Sequence, residues 1–306
     1  MRDAAPTVTA TVPVWRTPRV LVPLALLSLY VVWGSTYLAI RIALASYPPF
    51  VMGALRFLVT GAALYLFLRW RGMPPPTPRQ WRNCAVVGSL LLGFGNGLVC
   101  YAEQSVSSGL AAVAVASMPL FAAGFGTLFG EWPRRWELAG LLIGFVGVIV
   151  LNLGSDLRGA PVGAAALLVA SACWAFGSLW SKRQSMPAPA MSTAAQMLTG
   201  GVSLSLLGLV SGERLPTAPT LPATLALVYL GVAGSIIGFS AYMYVLNQVR
   251  PALATSYAYV NPPVAVLFGV LLGGESVRAL DLVGMAIILG GVAIIALAKA
   301  PRPKAE

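Results

Sequence analysis

The chain runs through one helical pattern twice, and this repetition limits its fold more than any other feature. Ten apolar stretches lie near 20–40, 50–68, 83–102, 109–130, 136–153, 161–180, 191–210, 222–246, 253–274 and 280–298. Each is long enough to cross a bilayer, for which about 20 apolar residues suffice. Trp33-Gly34-Ser35-Thr36-Tyr37 leads to Arg41, and Trp174-Ala175-Phe176-Gly177-Ser178 leads to Lys182, the basic residue following the tryptophan by eight positions each time. Pro119 precedes Leu128-Phe129-Gly130-Glu131 much as Pro263 precedes Leu272-Gly273-Gly274-Glu275. The halves are thus related by a shift of 141 to 144 residues. Five is odd, so two five-helix units enter the membrane from opposite sides, as in carriers that alternate between two faces.

The expected fold is an all-α polytopic membrane protein, ten transmembrane helices forming two inverted five-helix repeats around a central cavity. Residues 1–19 and 299–306 are read as cytoplasmic tails, 20–153 as the first repeat and 161–298 as the second. Charged residues make up only 9% of the chain and hydrophobic ones 58%, whereas a soluble domain carries roughly 25% charged residues. The net charge of +11 sits in short loops between apolar runs, so it does not form a nucleic-acid-binding face. Those loops carry the orientation signal. With the N-terminus inside, fifteen Lys and Arg fall on the cytoplasmic side and four (Arg41, Arg158, Arg214, Arg278) outside, with Arg56 in the second span. Both termini are therefore expected in the cytoplasm, the chain crossing the inner (plasma) membrane. Arg16 and Arg19 before the first apolar run resemble a signal peptide. That run, Val20 to Ile40, exceeds the 7–15 residues of a typical cleavable core and reads as an uncleaved span.

The chain has no His and three Cys, at 84, 100 and 173, each inside an apolar stretch. No metal site, disulfide framework or cofactor is expected from this inventory. Intramembrane hydrolases need Ser–His pairs, paired membrane Asp or zinc, which leaves a membrane enzyme as a weak rival. There is no phosphate-binding loop for ATP coupling.

The Trp33-Gly34-Ser35 motif with Arg41, Arg56-Phe57-Leu58, Pro119 with Gly130-Glu131, Trp174-Ala175, and Pro263 with Gly274-Glu275 together resemble the drug/metabolite transporter superfamily, and within it the ten-span EamA family. The resemblance covers nearly the whole chain. It implies an exporter whose central cavity is lined chiefly by the first, third and fourth helices and their repeat partners, the sixth, eighth and ninth. The chain looks similar to members that export amino acids, aromatic ones among them. A multidrug or other metabolite exporter with proton coupling is the alternative.

Individual residues point to the same region. Trp15, Trp70, Trp81, Trp132, Trp136 and Trp180 fall at span ends, where an amphipathic ring anchors among headgroups; Trp33 and Trp174 fall inside spans. The expected pocket comprises Trp33, Tyr37, Asn96, Tyr101, Gln104, Trp174, Ser178, Tyr242, Tyr257 and Asn261, an aromatic and mostly neutral lining suited to an amphipathic solute. Arg56 has two readings: a cation that attracts a substrate carboxylate, or one that snorkels outward or pairs with Glu103. Pro119, Pro262 and Pro263 each remove a backbone donor within a span and are read as hinges. Most of the Gly-x3-Gly pairs, Gly140/Gly144 and Gly234/Gly238 among them, are read as helix-packing faces. None of the nine acids lies mid-span, so facilitated transport of a small-molecule substrate is expected. The lipid bilayer is the only other partner, and the two fused repeats make a monomer the default.

Overall fold

Proline opens helix after helix. In this computed structural model, which describes residues 18–105, 111, 115–151, 161–273 and 279–297, the helices are α1 (Pro18–Leu44), α2 (Pro49–Trp70), α3 (Pro78–Ala102), α4 (Met118–Leu128), α5 (Arg135–Leu151), α6 (Pro161–Ser181), α7 (Pro189–Val210), α8 (Leu221–Gln248), α9 (Tyr257–Gly273) and α10 (Ala279–Leu297). A single turn, Pro251–Ala254, lies between α8 and α9. Proline's fixed φ suits a first helical turn, and its missing N–H has no intrahelical acceptor there. Gly72 (φ +82°) and Gly212 (φ +71°) turn the chain just after α2 and α7, at positions 140 apart. No strand occurs among the described residues. Nearly all of both assigned tails, and the Gly274-Glu275 pair, lie outside them.

Helices α1, α2, α3, α6, α7 and α8 are long and apolar enough to cross a membrane. Their outward faces carry exposed Leu and Val, such as Leu24, Val59, Leu66, Val202 and Leu225, as a lipid-facing surface requires. Trp70 and Trp132 are 80% and 72% exposed, whereas Trp33 and Trp174 are each 8% exposed. Trp136 is exposed as well, Trp81 and Trp180 are half-buried, and Trp15 lies outside the described residues.

The packing repeats with the sequence. α2 lies along α7 and α5 along α10, each with its repeat mate; α1 packs on α8 and α9, and α6 correspondingly on α3 and α4. The α5–α10 contact is a small-residue seam. A Cβ at Gly140 would stand 2.7 Å from the Gly291 carbonyl oxygen, and one at Gly291 would stand 2.6 Å from the Gly144 nitrogen. Here the packing reading of Gly140-x3-Gly144 holds.

Three helices change register at mid-length. α1 is π-helical over Leu29–Trp33, α3 over Ser89–Asn96 and α8 over Leu230–Phe239. The α3 and α8 stretches are repeat mates. Such wider turns recur at functional sites, because they offset the hydrogen-bond ladder and redirect side chains.

The hinge expectation needs one correction. Pro119 is not in a helix interior: it stands in the first turn of α4, after a break at Ala116 and Ser117, where it removes no ladder bond. Pro262 and Pro263 do lie inside α9, and a turn at Thr255 and Ser256 precedes that helix.

Candidate functional site

The π-helical stretches face one another across the middle of the molecule, with a cavity of about 80 Å³ between them. By the volume one water needs, this is room for about five to eight such molecules, or a small polar head group. Trp33, Tyr37, Arg56, Asn96, Trp174, Tyr257 and Asn261 line it, joined by Thr36, Phe57, Gly95, Gly234 and Phe239 among others.

Each tryptophan is seated on a glycine of the opposite half. A Cβ at Gly95 on α3 would stand 2.8 Å from the Trp174 ring, and one at Gly238 on α8 would collide with the Trp33 indole. Gly95 and Gly238 are 143 residues apart, so the two seats are repeat mates. Trp33 Nε1 donates to the Gly234 carbonyl at 2.9 Å. The Gly234/Gly238 pair therefore makes room for Trp33 and for Arg56, whose Nη2 would stand 2.8 Å from a Cβ at Gly234. This departs from the packing reading of that pair.

Trp33 also stacks among second-half rings. It meets Trp174 edge-on at 5.5 Å, Tyr257 edge-on at 4.7 Å and Tyr242 at 5.4 Å. Tyr242 in turn meets Trp174 and Tyr257, both at 5.6 Å. Trp33, Trp174 and Tyr257 line the cavity, and Tyr242 stands behind them. Ser178 and Tyr242 support the cluster rather than line the cavity: their hydroxyls are 2.6 Å apart, and Ser178 Oγ also donates to the Trp174 carbonyl at 2.6 Å.

Tyr101 and Gln104 stand outside the cavity. Tyr101 is five residues past Asn96, roughly 140° around the helix; it is 39% exposed and stacks on Phe50 at 5.9 Å. Gln104 lies beyond the end of α3, in an exposed turn. Sequence patterns gave no sign of Ser235, Gly95 or Phe239; only their position on the repeat-mate stretches, visible once the helices are built, marks them.

Arg56 is enclosed by protein at 5% exposure and does not reach out to the surface. The ion pairs among the described residues are Arg183–Glu131 and Arg250–Glu137, and neither involves Arg56 or Glu103. Arg56 Nε donates to Ser235 Oγ at 2.7 Å, and its guanidinium lies 4.7 Å from the centre of the Phe57 ring. Its Nη1 has no hydrogen-bond partner, nor do Trp174 Nε1 and Asn261 Oδ1. An unmet buried polar atom costs about 1–3 kcal/mol, more when charged. The cavity wall thus holds one cationic donor and one acceptor without partners, on Arg56 and Asn261.

A seat exchanged between halves, a buried cation and unmet polar atoms thus meet at the cavity of a helical membrane protein. The EamA-like transporter family model matches the chain twice, over residues 21–153 and 161–297. The chain belongs to this family, within the drug/metabolite transporter superfamily, and is a membrane transporter rather than an enzyme. It is similar to the uncharacterized inner membrane transporter YedA of Escherichia coli K12, 47% identical over 284 residues, covering 92% of this chain and 93% of that one. It is also similar to a probable amino-acid metabolite efflux pump of Salmonella typhimurium, 25% identical over 279 residues, covering 86% and 91%. A solved crystal structure shares the fold with a TM-score of 0.75 at 24% identity, covering 90% of this chain and 98% of that one.

Proposed function

We propose that the protein is a carrier that exports small zwitterionic metabolites, foremost amino acids with aromatic or other neutral side chains, by alternating access and down the substrate's own gradient. It does so as ten spans in two inverted repeats, with both termini cytoplasmic. The observation that carries this reading is the set of unmet atoms in the central cavity. Arg56 Nη1 suits a carboxylate, Asn261 Oδ1 suits an ammonium, and the neighbouring rings, Trp174 among them, suit an apolar side chain. The amino-acid pump among the relatives supports the same substrate class.

The test is uptake of a radiolabelled amino-acid panel into proteoliposomes, with and without a pH gradient. Saturable uptake of at least one neutral amino acid, abolished in Arg56→Leu, is expected. Wild-type protein that moves none of the panel removes the substrate assignment. A second reading, proton coupling, is favoured by one observation: Glu103 Oε1 is enclosed without a hydrogen-bond partner. Accumulation that collapses on adding a protonophore would select it.

A further inference from the structure

A second cavity lies on the far side of the four-ring cluster. It measures about 230 Å³ and is bounded by Ser181 and Lys182 just at and after the end of α6, Ser192 and Gln196 in the opening turns of α7, and Met243 and Asn247 near the end of α8. Two helices serve both cavities. α6 gives Trp174 to the first and Ser181 to the second, seven residues or about 10 Å further along. α8 gives Gly234 and Phe239 to the first, and Met243 and Asn247 to the second. The bonded pair Ser178–Tyr242 stands between them.

The repeat relates one polar group of the first cavity to one of the second, Arg56 to Gln196, whereas the mate of Lys182 is exposed and lines neither cavity. α2 opens at Pro49 and α7 at Pro189, 140 residues apart, and the same shift carries Arg56 onto Gln196. Arg41 and Lys182 are mates at 141. Gln196 is fully buried, and its Nε2 donates to Ser192 Oγ at 2.8 Å. Its Oε1 has no hydrogen-bond partner. Lys182 Nζ donates once, to the Val249 carbonyl at 3.3 Å, which leaves two of its three protons for another acceptor. A cation and an unmet buried acceptor facing one cavity match the two ends of a zwitterion.

We propose that this cavity is a second substrate subsite, which holds an amino acid on the Lys182 side of the aromatic cluster, with the carboxylate on Lys182 and the ammonium on Gln196 Oε1. The inference rests on the substrate class proposed above. Its larger volume accepts a whole amino acid, side chain included, before the ring cluster parts and the head group moves to Arg56. On the charge-derived orientation this is the loading side for export.

The test uses the full chain and radiolabelled phenylalanine. Gln196→Leu and Lys182→Gln are expected to raise the KM for phenylalanine offered to the Lys182 face about tenfold, a loss of one hydrogen-bonded contact, and to leave the KM at the opposite face unchanged. Unchanged KM at both faces overturns the subsite. Should these variants misfold, Asn247→Cys replaces an exposed residue, and maleimide alkylation at position 247 is followed by peptide mass. Saturating phenylalanine is expected to slow the alkylation; an unaltered rate in a carrier that transports phenylalanine overturns the subsite alone. Protection at 247 without phenylalanine transport by the wild type would keep the subsite and overturn the transport reading instead.

Discussion

Trp33 and Trp174 were legible in the sequence because a mid-span tryptophan has no headgroup to anchor to. Their seats were not. Gly95 and Gly238 sit in a chain with 32 glycines, and only the fold reveals that each leaves space for a ring. Arg56 was legible as a costly intramembrane cation, but its two readings separated only when Ser235, on the other half, was found to hold its Nε. Single substitutions follow from this geometry. An alanine at either glycine stabilises an isolated helix by about 0.5–1 kcal/mol, yet overpacking against the ring costs about 1–3 kcal/mol. Gly95→Ala and Gly238→Ala are therefore expected to remain folded, by melting in detergent, while transport in proteoliposomes falls about tenfold, equivalent to about 1.4 kcal/mol. Trp174→Phe removes Nε1 together with the second ring of the indole, so it should raise KM and also lower the melting temperature, by leaving a void beside Tyr242 and Phe239. Trp132→Ala, at a 72% exposed interfacial position, removes a headgroup anchor and is expected to lower stability in the bilayer while leaving transport by the folded protein unchanged.

Helix existence was readable from apolar runs and proline punctuation, whereas the π-helical stretches were not. The same Gly, Leu and Phe content suits either register, and only packing against the opposite half selects the wider one. The break before Pro119 was hidden for a related reason, since a proline in a first turn and one in a helix interior look alike in sequence. Where helices end, two ion pairs join the halves on one side of the molecule. Arg250 holds the start of α5 through Glu137, with Nε–Oε1 at 2.5 Å and Nη2–Oε2 at 3.0 Å, and the Glu137 side chain is only 4% exposed. Arg183 meets Glu131 at 2.7 Å with both side chains about a third exposed. Because Arg250 is 37% exposed, loss of its partner is expected to cost less than the roughly 3–5 kcal/mol of a fully buried pair, but more than the about 0–1 kcal/mol of an exposed one. Glu137→Gln is thus expected to lower the melting temperature far more than Glu131→Gln, and equal effects would contradict this ranking.

At the scale of the whole molecule, the helix contacts follow the repeat: α1 on α8 and α9 is echoed by α6 on α3 and α4. The charge asymmetry predicts that maleimide added outside intact cells reacts with Arg214→Cys and not with Arg79→Cys. Glu103 offers a check on coupling. Burial holds its carboxyl well above the ordinary carboxylate range, with Arg41 drawing it back. A raised folded-state value means that its stabilising contribution is complete at acid pH, below the unfolded value, and is lost as pH rises through the folded one. Glu103→Gln should flatten that decline in melting temperature while leaving down-gradient flux intact. Flux lost together with response to a pH gradient would move the mechanism to proton coupling. The ring cluster carries a kinetic consequence. Trp33 is its one first-half member, set among three second-half rings. Any reorientation that draws the halves apart there must release those three contacts, at about 0.5–1.5 kcal/mol each. A bound aromatic side chain can stand in for the departing ring, but an empty carrier returns with nothing in its place. The unloaded return is then the slow half of the cycle, and unlabelled phenylalanine on the far side should speed the release of labelled phenylalanine, so that exchange outruns net flux.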